Sequence, residues 1–256
     1  MAAQRQDFTA DLLEAALRGR NDQVKAFLDG GANLEASDRN GRTPLMLAAQ
    51  HGQAATVALL VERGAKVSAR DRDGATAYVL ALFSPSGRGD HEAVLKLLPA
   101  PPRPRMALEV GWSAGRLASS CFATREEVAR TVEGLQLPAQ FLRAFGNYVQ
   151  FSGRDLVQLV GRPADADALL RIELQPTSAC VAEAGDIVGL AIDVRVLREP
   201  GMEPVFQKPF GAGSRGLHAQ RATNLRQYAS ILQPWIRPQA GPIYWAAAAA
   251  LYRAAR

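Results

Sequence analysis

The stretch Asp38–Gly52, DRNGRTPLMLAAQHG, decides how the chain is read. Thr43 offers a hydroxyl that can cap a helix N-terminus, and Pro44 suits the first helical position, where no N–H is needed. Leu45, Ala48 and Ala49 then fall on one apolar face at helical spacing. The two alanines are small enough for a neighbouring helix to approach closely. Gly52 fits the left-handed residue that ends a helix. A second short helix is expected next, with Val57, Leu60 and Val61 on its buried side and Gly64-Ala65 at its end.

The same pattern recurs on both sides at a spacing of 33 residues. Leu12, Ala16, Gly19, Val24, Phe27, Gly31 and Ala32 precede Leu45, Ala49, Gly52, Val57, Leu60, Gly64 and Ala65 by that interval. Asp38, Gly41, Thr43 and Ala48 map forward onto Asp71, Gly74, Thr76 and Ala81. The register then slips by four, so Val57 and Leu60 map onto Val94 and Leu97, and Ser84–Asp90 reads as an inserted loop. Self-similarity at this period marks a solenoid of stacked helix pairs.

TPL, AA, HG and the Gly-Ala pair stand at the spacing of the ankyrin repeat, and residues 8–98 resemble that family. Repeat one lacks TPL and resembles an N-terminal cap, and repeat three has Ala77-Tyr78 in place of Pro-Leu. The resemblance implies a unit that holds another protein. It places the contacts at the tips, Arg39, Asn40 and Arg42, then Arg72 and Asp73, and before the helix-ending glycines, Gln50 and His51, then Phe83 and Ser84. Repeat one offers Leu17 and Arg18. This mixture of cationic, amide and aromatic side chains suits a partner with acidic and apolar features. The open end of repeat three, with Leu82, Leu95 and Leu98, is expected to be covered by the remainder of the chain.

The 256 residues, 48% of them hydrophobic, suffice for two domains with real cores. Net charge is +5, but the arginines are spread singly, without the dense basic run of a nucleic-acid site. No stretch is long and apolar enough to span a membrane. Met1–Gln4 shows no signal peptide, which fits either a cytoplasmic protein or a numbering that begins after a removed signal, in which case the cell envelope is favoured. The domains are therefore 1–98, repeats; 99–105, the proline-rich linker PAPPRPR; and 106–256. The linker favours an extended polyproline II form, with a motif for a proline-binding domain as the alternative.

After the linker the period changes. MALEVGW reads as a strand, and Thr124 with Glu127 forms a capping box for a helix. Pro138 opens another helix, striped by Phe141, Leu142, Phe145, Tyr148 and Val149. Four strand-like runs follow in series: RDLVQLV, DALLRIELQ, DIVGLAIDVRVL and PVFQKPF. REPGME between the last two predicts an antiparallel hairpin. Helices over about 224–236 and 243–255 close the chain. The fold class is thus α+β: an all-α ankyrin-repeat array of about three repeats, then an α+β domain whose mostly antiparallel sheet is flanked by helices. ADALLRIELQ, REPGMEPVFQK and YWAAAAALYRA resemble bacterial outer-membrane lipoproteins, among them the curli-secretion lipoprotein and the penicillin-binding-protein activators. That resemblance implies a non-enzymatic, envelope-associated role, as an inhibitor, immunity or assembly factor. The lipid-bearing cysteine of that group is absent.

GWSAG, Gly111–Gly115, fits the G-x-S-x-G of a serine hydrolase, and Asp193 and His218 follow Ser113 in the order of a triad. The hydrolase fold needs strands before that elbow, where this chain has a linker and repeats, so the enzyme is the alternative reading. GAGSRG, Gly211–Gly216, matches G-x-G-x-x-G but lacks a following strand and an acidic partner. The histidines His51, His91 and His218 show no metal-ligand spacing, so neither metal nor cofactor is expected. Cys121 and Cys180 are either two buried thiols or a disulfide, which requires an oxidising compartment.

Overall fold

The repeating pattern folds as three helix pairs. Thr9–Arg18 (α1) pairs with Asn21–Asp29 (α2), Pro44–Gln50 (α3) with Ala54–Glu62 (α4), and Ala77–Leu82 (α5) with His91–Leu97 (α6). The computed structural model describes residues 8–84, 89–114, 121–151, 156–181, 185–198, 203–212, 220–222, 225–232, 234 and 237–254. The chain divides into two compact units, Met1–Pro102 with Tyr252–Arg256, and Arg103–Leu251.

In the first unit the caps stand where the sequence places them. The Thr43 hydroxyl accepts the Met46 N–H at 3.4 Å, with Pro44 at the start of α3. Thr76 caps α5 through the Val79 N–H at 3.4 Å, even though Ala77 replaces the proline. Asp90 caps α6 by accepting the Ala93 N–H at 2.9 Å. Leu12, Ala16, Val24, Leu45, Ala48, Ala49, Val57, Leu60, Ala81 and Val94 share one buried cluster. Each buried leucine there contributes roughly 1.5–3 kcal/mol of burial free energy. Gly52 is left-handed, φ +68°, and a Cβ on it would lie 2.8 Å from the Asp90 nitrogen. Close stacking of repeat three on repeat two therefore demands glycine there.

The second unit begins with Arg105–Trp112 (β1), then Arg125–Gly134 (α7) and Leu137–Phe151 (α8). Gln158–Val160 (β2), a 3-10 turn at Pro163–Asp165, Ala168–Val181 (β3), Gly185–Arg198 (β4), Glu203–Ala212 (β5) and Gln220–Ala222 (β6) follow. Leu225–Leu232 (α9) and Arg237–Ala254 (α10) complete the order. The sheet runs β2-β1-β3-β4-β5, with β6 also on β4. It is mixed: β1 lies parallel to both β2 and β3, while β3, β4 and β5 are antiparallel. The helices α7 and α8 supply the crossover that two parallel strands, β1 and β2, require. The expected hairpin is present as the pairing of β4 with β5, although Glu199–Met202 themselves lie outside the described residues.

Some expectations needed adjustment. RDLVQLV yields only the three-residue β2, DALLRIELQ extends to Val181, and α10 begins at Arg237 despite carrying Pro242 inside it. The capping box holds: the Thr124 N–H donates to Glu127 Oε2 at 2.8 Å and the Glu127 N–H to Thr124 Oγ1 at 3.3 Å. These bonds from Thr124 lower the Glu127 pKa. Phe141 and Phe145 on α8 are buried with their rings 6.0 Å apart, and Tyr244 of α10 meets Phe145 edge-on. Leu142, expected in that stripe, is instead exposed. The buried Tyr244 hydroxyl accepts the Leu156 N–H at 3.0 Å.

Candidate protein-binding surface

The tip of repeat two is a turn built by Asp38. Its carboxylate accepts the N–H groups of Asn40 at 2.8 Å and Arg42 at 2.9 Å. Its own N–H donates to the Arg42 carbonyl at 3.0 Å, and Gly41 takes the left-handed φ of +77° that closes the turn. Asp71 repeats the device in repeat three, accepting from Asp73 at 3.0 Å and Ala75 at 2.7 Å, with Gly74 left-handed. The Arg72 N–H donates to the Asn40 carbonyl at 3.0 Å and ties one tip to the next. Four of the residues expected at the tips, Arg39, Asn40, Arg72 and Asp73, are exposed on this braced frame.

Arg42 behaves differently. Its guanidinium holds Asp38 Oδ2 through Nε at 2.9 Å and Nη2 at 2.8 Å, and Nη1 reaches Gln50 Oε1 at 3.0 Å. Burial pushes the Asp38 carboxyl up, but the hydrogen bonds from Arg42 and Asn40 and the Arg42 charge outweigh it, so the pKa lies below the ordinary value. The Gln50 carbonyl in turn accepts Ser84 Oγ at 2.7 Å and faces His91 Nε2 at 3.0 Å. His51 Nδ1 faces the Leu47 carbonyl at 3.0 Å. Arg42, Gln50 and Ser84 thus form a bonded chain joining tip to helices. His91 belongs to it as well, a residue that periodicity passes over because it follows the insertion that breaks the repeat register.

The remaining positions are also engaged. Within the first unit the Phe83 ring lies 5.9 Å from that of Tyr252, which is 5% exposed. Arg18 pairs with Glu14 at 2.5 Å, and the Leu17 carbonyl accepts Gln53 Nε2 at 3.4 Å.

The residues of the enzyme alternative are placed in part. The Ser113 N–H continues the β1–β3 ladder by donating to the Leu174 carbonyl at 3.0 Å. Asp193 on β4 is held by Arg195 at 2.7 Å, and His218 lies outside the described residues. Gly211 is within β5, while Gly213–Gly216 lie outside the described residues. Among the described residues no group of His, Cys, Asp or Glu could hold a metal ion, and no helix is long and apolar enough to cross a membrane. Cys121 is disulfide-bonded, and the side chain of Cys180, the other cysteine of the chain, lies outside those described.

Residues 12–105 match the family model of ankyrin repeats in three copies. The helical N-terminal region is therefore an ankyrin-repeat array, and such repeats are in general protein–protein interaction modules. The match ends at residue 105. No curated protein matches the chain.

Proposed function

We propose that the chain is a non-enzymatic protein-binding module that presents Arg39, Asn40, Arg72 and Asp73 to a partner with acidic and apolar features. The supporting observation is the braced tip pair: exposed side chains on turns whose backbone is held by Asp38, Asp71 and the Arg72–Asn40 hydrogen bond. Such a frame loses little conformational freedom on binding, and arginine is enriched among the residues that dominate interface energy. The role fits an inhibitor, immunity or assembly factor, and a disulfide at Cys121 favours an oxidising compartment such as the cell envelope.

Arg42 is left out of the test because its guanidinium braces the tip through Asp38 and Gln50, and its loss would disturb the frame itself. The test replaces Arg39 and Arg72 with alanine and measures affinity for a partner recovered by pull-down. Affinity should fall at least tenfold while the melting curve stays unchanged. Unchanged affinity moves the binding surface off the tips.

A further inference from the structure

Away from the repeats, the second unit carries an apolar cleft of about 570 Å³ between α8 and α10, lined by Tyr148, Pro238, Gly241, Pro242 and Trp245. Its walls are fixed. The Trp245 indole N–H donates to the Tyr148 hydroxyl at 2.8 Å, which holds both rings. A Cβ on Gly241 would lie 2.8 Å from the Tyr148 ring, so only glycine lets that ring settle so close to α10. Pro238 and Pro242 stand one helical turn apart on the same side of α10. Tyr148 spends its oxygen lone pair on Trp245, and among the described residues its own O–H meets no acceptor. The cleft is therefore an aromatic and prolyl surface with one hydrogen-bond donor to offer.

The chain itself contains the complementary ligand. Pro99-Ala100-Pro101-Pro102-Arg103-Pro104 lies in neither helix nor strand, and Pro99, Ala100, Pro102 and Arg103 are exposed. Each end runs into a folded unit. Leu98 is buried at one end. At the other, the Pro104 carbonyl accepts the Gln158 N–H at 3.0 Å, and Arg105 pairs with Asp167 at 2.8 Å. Proline rings bias such a segment toward an extended form, so it loses less conformational entropy on docking than a flexible chain would. Its prolines bring no N–H to desolvate, so it presents ring faces and carbonyl acceptors. A proline-rich segment of this kind suits a groove lined by tyrosine and tryptophan with a donor hydroxyl.

We propose that the Tyr148–Trp245 cleft of one copy takes the Pro99–Pro104 segment of a second copy. Each copy carries both halves, and a reciprocal exchange of the two makes a closed pair. With one short segment per cleft the pair is weak, of order ten to a few hundred micromolar.

The test is sedimentation velocity on the full chain from about 5 to 500 µM, the range that brackets that affinity. The mean mass should rise from one chain toward two across the series. Pro99→Ser with Pro102→Ser, both at exposed positions, should weaken association at least tenfold with an unchanged circular-dichroism melt. The peptide LPAPPRP in excess should return the wild type to one chain. Trp245→Ala should do the same, and the serine variant keeps the test valid if Trp245→Ala fails to fold. A chain that stays single across the series overturns the proposal, as does a pair that survives the serine variant and the peptide. Peptide binding by a chain that never pairs also overturns it, since the occupant would then come from another protein.

Discussion

Removing the Asp38 carboxylate is the sharpest probe of the tip frame. Asp38 and Arg42 are 23% and 26% exposed in their side chains. The carboxylate accepts two backbone N–H groups at 2.8 and 2.9 Å besides the guanidinium. Hydrogen bonds to a charged group are worth roughly 1.5–3 kcal/mol each, but water replaces part of that at a site this open. Asp38→Ala should therefore weaken the tip by about 2 kcal/mol, close to thirtyfold in local opening. Tryptophan fluorescence is a poor assay, because Trp112, Trp235 and Trp245 all lie outside the repeats. Amide hydrogen exchange over residues 38–50 reads local opening directly. Exchange there should quicken about thirtyfold at neutral pH, on the same estimate.

The sign of the pH effect follows from the lowered pKa. The folded carboxylate titrates below the ordinary carboxylate range, so its stabilisation is complete above the unfolded pKa and is lost as pH falls through the folded one. Below that window the wild type and Asp38→Ala should exchange alike. A change of less than about threefold at neutral pH, far short of the thirtyfold worked from the hydrogen bonds, would show that the carboxylate does not brace the turn.

Two further outcomes can be checked with little ambiguity. Tyr244→Phe removes the buried hydroxyl that accepts the Leu156 N–H at 3.0 Å, so it should destabilise the second unit by about 1–3 kcal/mol in urea unfolding followed by tryptophan fluorescence. Non-reducing alkylation and mass measurement on the chain, made in an oxidising compartment, should find no free thiol, with Cys121 joined to Cys180; that loop of about 60 residues adds roughly 4 kcal/mol in the chain-entropy model, and two alkylated cysteines would refute the bond.

The repeat array was legible residue by residue because its code is local. Thr43, Pro44, Gly41 and Gly52 each act within one turn of chain, and recurrence every 33 residues exposes them. The ankyrin resemblance that this recurrence carries put Arg39, Asn40, Arg72 and Asp73 at the tips, and all four are exposed. It gave no sign that Arg42 is bonded to Gln50, since a guanidinium eight residues from Gln50 reveals nothing of their hydrogen bond until the turn and helix are folded. His91 escaped for a related reason: its contact with the Gln50 carbonyl spans 41 residues and an insertion.

In the second unit the sequence by itself determined β1, β3, β4 and β5, the capping box at Thr124 and the helical closing segment, all set by alternation, capping chemistry and period; it expected only helices after Gly216 and so missed the short β6, Gln220–Ala222. Only the tertiary structure decided that β1 lies between β2 and β3 and parallel to both, because hydrophobic alternation is the same for either strand direction. It also decided that Gly241 and Tyr148, 93 positions apart, meet to shape a cleft with Trp245. Neither residue carries a local signal for that contact. The close approach comes from how α10 packs against α8, a long-range arrangement that no short stretch of sequence encodes.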